Sequence, residues 1–299
     1  MVNTKKVSPS DPIRVGIIYG PLRDINETAV SYLITHLNRL QSSFEYEILP
    51  HYASDLVVAE EMDFMKWLAK SRHYTGDNDE DSFNNKLSEF IDIYRDYLKF
   101  NYAEGLKEDV PNHYILITTA WIPGRRYFES SKNLCILSLA AWEKVMAPPS
   151  VIESIPTLVM RASAAIACPE LERVHLGTKG CIFDYGHWLV DTRYKVLTGI
   201  ICKYCSTIMA NAGQEKMRED ILYILREQEW FGTSDNPLSP ASIVSKIMGH
   251  DLFLTRGLKP GHWETFRENI VKESTKELVR IVATIVIAGI LIWVGFQQT

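Results

Sequence analysis

A chain of 299 residues with 46% hydrophobic and 23% charged side chains has the make-up of a globular protein, long enough for one large domain or two small ones. Its net charge of −5 argues against a general nucleic-acid binder, which presents a basic face. Five cysteines, without the spacing of a small disulfide scaffold, point to a reducing compartment, where clustered thiols read as metal ligands before they read as disulfides.

Residues 1–12 are polar and are expected to be a disordered lead-in, with no apolar stretch of the kind a secretory signal needs. Ile13–Tyr19 is a compact β-rich run closed by Gly20-Pro21, the pattern of a buried first strand. Asn26 is placed to cap a helix over Glu27–Gln41, with Leu33, Leu37 and Leu40 on one face. Phe44–Leu49 alternates at period two and stops at Pro50, so the chain opens as strand, helix, strand, a right-handed crossover in a mostly parallel sheet. Helices are predicted over Leu56–Lys70 and Phe83–Gly105, with the acidic stretch Thr75–Ser82 between them as a solvated loop; it lacks the offsets of a calcium loop. His113–Ala120 and Asn133–Leu139 are apolar strand candidates, joined by a basic turn at Pro123–Arg126. A helix is predicted from Ser150 to Cys168, where Pro169 interrupts it. Asp191 is placed to cap a helix running from Thr192 into Cys202, and further helical stretches follow at Gln214–Trp230 and Ala241–Met248.

After the break Gly257–Gly261, a last helix is expected to start near His262. Its end, Ile281–Phe296, is uncharged, and a single membrane-spanning helix is predicted over residues 278–296, with Trp293 and Phe296 as interfacial anchors. Arg267, Lys272, Lys276 and Arg280 on its near side then put the bulk of the chain in the cytoplasm. Ala283, Ala288, Gly289 and Gly295 permit helix–helix association in a homo-oligomer. The alternative for this segment is a buried core helix.

The chemistry concentrates in one stretch: His175, Cys181, Cys202 and Cys205. Two thiols separated by two residues can be presented by one turn of chain to a single ion, and a set of three sulfurs and one imidazole suits Zn2+ in a tetrahedral, closed, structural site. The alternative is that these thiols fill a core among Ile200, Ile201 and Ile208. Asp184, His187 and Asp191 form a second set, in which carboxylates and an imidazole could serve as metal ligands or as an acid–base pair. Cys168 has no assignable histidine partner as a nucleophile.

The run His175-Leu-Gly-Thr-Lys-Gly-Cys181-Ile-Phe-Asp, continued by Asp191-Thr-Arg-Tyr-Lys195 and Cys202-Lys-Tyr-Cys205, resembles the second half of the archaemetzincin zinc motif. That family's signature is HExxHxxGxxHC, followed by CxM and a later CxxC. Its three histidines hold a catalytic zinc, its glutamate polarises the attacking water, and four cysteines hold a structural zinc. By this resemblance His175 stands where the third catalytic histidine would be, and Cys181, Cys202 and Cys205 where three structural thiolates would be. Phe183 stands in for the methionine of the Met-turn. The departures are as informative: Ala165 and Ile166 replace the first histidine and the glutamate, Pro169 the second histidine, Glu172 the glycine and Leu176 the first structural cysteine. With two imidazoles and the general base gone, a water-activating zinc has no seat, and His175 is free to become the fourth ligand of the structural one.

The expectation is therefore an α/β, metzincin-like mixed sheet with flanking helices over residues 13–213, a helical connector over 214–277 and a membrane helix over 278–296. Its function would be that of a proteolytically inactive sensor or interaction module at the membrane, such as a bacterial defence effector, taking an unknown protein or small-molecule ligand. The alternative is a zinc-dependent hydrolase with a rearranged site.

Overall fold

In the computed structural model of the chain, residues 11–50, 64–65, 68, 80–100, 109–131, 133–140, 142, 146–172, 175, 177–186 and 188–296 are described. Its centre is a five-stranded sheet in the order β2-β1-β3-β5-β4. The strands are β1 (Ile13–Tyr19), β2 (Phe44–Ile48), β3 (His113–Thr118), β4 (Phe128–Ser131) and β5 (Leu134–Ser138). Four run parallel; β4 pairs antiparallel with β5 at the edge, Phe128 opposite Leu137 and Ser131 opposite Leu134.

The central strands β1, β3 and β5 are largely apolar on both faces because both faces are covered, whereas the edge strand β2 alternates, with Glu45 exposed. Side chains alternate across a strand, and the two cores follow that alternation. Val15, Ile17, Tyr19, Ile115 and Ile117 face a core shared with helices α1 (Glu27–Leu40) and α3 (Val151–Ala167). Ile18, Tyr114, Leu116 and Ile136 face the other, shared with Phe83, Leu87, Phe90 and Tyr94 of α2 (Glu80–Leu98). Asn26 caps α1 as expected, its side chain accepting from the Thr28 N–H at 2.9 Å. Ser150 and Glu153 close a reciprocal capping box on α3.

Past the sheet come α4 (Arg193–Thr198), α5 (Lys203–Asn211), α6 (Glu215–Leu225), α7 (Glu227–Trp230) and α8 (Pro240–Met248). Met217, Ile221, Ile224, Ala241 and Val244 from this region enter the same core as α1 and α3. Asp220 ties α6 to the turn before β2, accepting from the Ser42 and Ser43 N–H groups, each at 3.0 Å, and from the Ser43 hydroxyl at 2.7 Å. The chain divides into two compact units, residues 1–258 and 259–299. The second is built on one helix, α9 (His262–Phe296).

Several expectations are corrected. Among the described residues no helix is long and apolar enough to cross a membrane, which overturns the membrane-spanning helix over 278–296. The first half of α9 carries Glu264, Arg267, Glu268, Glu273 and Glu277, with Arg280 at its middle. Its uncharged remainder, Ile281–Phe296, is about 16 residues or about 24 Å long, short of the roughly 30 Å of a bilayer core. The helix expected from Thr192 into Cys202 is two helices, because Gly199 adopts a left-handed conformation (φ +54°) and ends α4. Asp191 is not its cap: it lies in a 3-10 turn, Leu189–Thr192, and its carboxylate accepts from the Trp188 N–H at 2.9 Å. The short edge strand β4 had no sequence expectation. The predicted helix Leu56–Lys70 and the loop residues 75–79 fall largely outside the described residues, and residues 80–82 of that loop open α2.

Candidate metal centre

Gly180 stands in the left-handed region (φ +77°) against Thr198 and turns the chain so that Cys181 enters the core. Cys181 is fully buried, and its neighbour Ile182 donates its N–H to the Ile200 carbonyl at 3.0 Å. That pairing brings the 181 and 200 segments side by side. Cys202 is the N-cap of α5 and Cys205 lies in its first turn, where the positive end of the helix dipole favours thiolates. His175 pairs with the Asp184 segment: the Tyr185 N–H reaches the His175 carbonyl at 3.1 Å.

Four sequence-distant side chains thereby converge. The donor atoms of His175, Cys181, Cys202 and Cys205 all lie within 4.8 Å of one another. The Cys181 and Cys205 sulfurs are 3.9 Å apart, and Cys202 Sγ is 3.3 Å from His175 Nε2. A disulfide needs about 2.05 Å between sulfurs. A tetrahedron with Zn–S near 2.3 Å and Zn–N near 2.0 Å has edges of roughly 3.5–3.8 Å. The four donors are close enough to hold one metal ion, and the sulfur-and-imidazole set is compatible with zinc.

The surroundings favour thiolate. The Cys202 N–H points at Cys181 Sγ from 3.3 Å. The Cys181 thiol is pushed well below its ordinary range, first by the Cys205 thiol and then, against the effect of burial, by the N–H groups of Cys202 and Phe183 and by His175. Cys205 is pushed up by holding the proton toward Cys181 and by its own burial. A cation bound among these sulfurs would favour their thiolate forms.

Asp184, buried to 1% exposure, supports the cluster from behind. One oxygen accepts from the Lys179 and Cys181 N–H groups at 2.7 and 3.0 Å. The other faces His175 Nδ1 from 3.0 Å, close enough for charge attraction but without the alignment of a hydrogen bond. With Nδ1 toward the carboxylate, Nε2 is left to face the sulfurs, the orientation in which imidazoles bind metal.

No family model matches the chain, and neither a curated protein nor a solved structure matches it.

The other candidates divide. Asp184 and Asp191 accept from backbone N–H groups of their own loops, and His187, the third member of that set, lies outside the described residues. Leu176, expected in place of a structural cysteine, is also outside the described residues. Ala165 is buried near the end of α3, and Pro169 opens a 3-10 turn, Pro169–Glu172, rather than continuing the helix. The Cys168 thiol is raised to about 11 by burial and by Glu170, whose carboxylate is 3.3 Å away, which removes its nucleophilic form at neutral pH. Cys135 is a buried strand residue, as expected.

One group escaped the sequence reading. Lys195 is 1% exposed and its Nζ is 2.7 Å from the Tyr127 hydroxyl. Burial, then repulsion from Arg161, lowers the ammonium to about 7, while Asp184 and Asp191 oppose the shift. Arg161 lies beside them, its guanidinium 4.1 Å from the Phe128 ring centre and 5.4 Å from that of Tyr127. An arginine in the middle of the apolar helix α3 was the available signal.

Proposed function

We propose that this chain is a metal-stapled, non-hydrolytic interaction domain of metzincin-like descent, in which His175, Cys181, Cys202 and Cys205 hold one structural zinc. The observation that carries the reading is the convergence of these four donors within 4.8 Å. Bound there, zinc would supply a cross-link, its positive charge compensating the thiolates it draws together. The residues do the rest. Cys181 anchors the segment leading to Phe183 and Gly186, Cys202 and Cys205 fix the start of α5, and His175, oriented by Asp184, joins the segment after α3 to both.

The sequence argument against hydrolysis stands beside this. Ala165, Ile166 and Pro169 occupy the positions where the resemblance requires a histidine, a glutamate and a second histidine. Four protein ligands would also close the coordination sphere, leaving no open position for water. The domain would then act by holding a ligand or partner, as a sensor does.

The test is a paired measurement on the purified full chain. Zinc content and thermal stability should fall together in Cys202→Ser and in His175→Ala, while the zinc-loaded wild type leaves casein and a mixed peptide library uncut. Zinc-dependent cleavage that His187→Ala abolishes, with the fold intact, would establish a rearranged hydrolase instead.

A further inference from the structure

A cavity of about 350 Å3 lies between the start of β4, helix α3 and the loop that follows Cys181. Ala165, Leu171 and Phe183 give it an apolar side; Ser130, Tyr185 and Arg161 give it a polar one. Its size is that of a small-molecule site. Arg161 is the unusual member, at 9% exposure. Among the described residues its Nε and Nη1 have no hydrogen-bond partner. Its guanidinium stacks on the Phe128 ring, which attracts the cation without neutralising it. The carboxylate that also lines the cavity, Glu129, is engaged by Arg126 at 2.8 Å. Lys195 and Asp191 stand close by: a side chain at Gly186, on the cavity wall, would come within 3.3 Å of Lys195 Nζ and 2.9 Å of Asp191 Cβ. Burying a guanidinium with unmet N–H groups is costly unless something pairs with it. The group that fits is an oxyanion, planar or tetrahedral: Nε and Nη1 lie on different edges of the guanidinium, and on either edge an oxyanion takes two parallel N–H bonds, one of them from Nη2.

We propose that this cavity binds a small organic anion, its carboxylate or phosphate on Arg161 and its apolar body against Leu171 and Phe183. The proposal extends the interaction reading by naming the class of ligand, and it does not require the metal. The two are linked through one wall, since Phe183, Tyr185 and Gly186 belong to the segment that Cys181 anchors.

Calorimetric titration of the full chain with benzoate, phenyl phosphate, acetate and inorganic phosphate decides the matter. Saturable one-to-one binding of benzoate or of phenyl phosphate is expected, and the stronger of the two identifies the head group. Arg161→Met should fold, with equal or higher Tm in the absence of anion because an unpaired buried charge is gone. It should bind the same probe roughly tenfold or more weakly. No saturable binding of either organic probe at low-millimolar concentration, binding of the bare ions alone, or undiminished binding in Arg161→Met would each overturn the proposal. If Arg161→Met does not fold, Ala165→Phe, which fills the cavity and keeps the charge, decides instead: lost binding supports the proposal and unchanged binding overturns it. Zinc content is measured in every sample. Binding by zinc-free protein would leave the anion site standing while removing the metal from the proposed function.

Discussion

Asp184 is a buried carboxylate whose two oxygens have separate partners: one closes the Lys179–Cys181 turn, the other faces the His175 imidazole. Removing its charge leaves all four donors in place but loosens their orientation. Asp184→Asn is therefore expected to weaken zinc binding by roughly 10–100-fold, measured by competition with a chromophoric chelator; equal affinity would mean that the imidazole is oriented by other contacts. Lys195 gives a pH signature. Its folded value of about 7 lies below the ordinary 10.5, so between those values the unfolded chain binds more protons than the folded one. Stability then rises with pH from about 7 to about 10.5, and the contribution is least favourable below 7. In zinc-saturated protein, Lys195→Met should flatten that rise relative to wild type in denaturant titrations across the window. Parallel curves would place the ammonium in a better-solvated setting. The four sulfur and imidazole groups that could hold a metal ion were legible in the sequence because residue type and the Cys-x-x-Cys spacing announce them. Tyr127, Arg161 and Lys195 were not, because they lie in the loop before β4, in α3 and in α4, with no common period, and only folding brings them together.

At the level of elements, the central strands were legible because burial on both faces writes a continuous apolar run, and α1 and α3 because Asn26 and Ser150 mark their starts. β4 escaped because four residues, Phe-Glu-Ser-Ser, are too few to show a period. The break at Gly199 had its glycine in plain view; it was read through because the pattern on either side is helical. That glycine is required twice over. Its φ is +54°, and an added Cβ would stand 2.7 Å from the Leu225 carbonyl oxygen. Gly199→Ala should destabilise the domain by at least about 1 kcal/mol, read as a lower Tm, and loosen the approach of Cys202 to Cys181. An unchanged Tm would show that α4 and α5 can be joined without the left-handed turn. Ser150→Ala, which removes half of a capping box, should cost about 1 kcal/mol and leave zinc content unchanged.

On the scale of the whole molecule, a sheet covered on both faces carries the candidate metal centre on the segments that follow α3. The division after residue 258 makes a direct prediction. A chain ending at Leu258, which loses Trp263 and Trp293, should retain cooperative unfolding, a Tm within a few degrees and the same zinc content; loss of cooperative unfolding would show that the last helix belongs to the core. The charged first half of that helix and its short uncharged end were both visible in the sequence. The membrane expectation took the charged half as the flank of a span, and the uncharged end is too short to be one. The central claim is that three thiolates and one imidazole share one ion. Zinc K-edge X-ray absorption on the purified full chain tests it most directly. One zinc per chain is expected, with three sulfurs at about 2.3 Å and one nitrogen at about 2.0 Å. A shell of oxygen and nitrogen without sulfur, or zinc-free protein that folds with the same Tm in chelator, would contradict it.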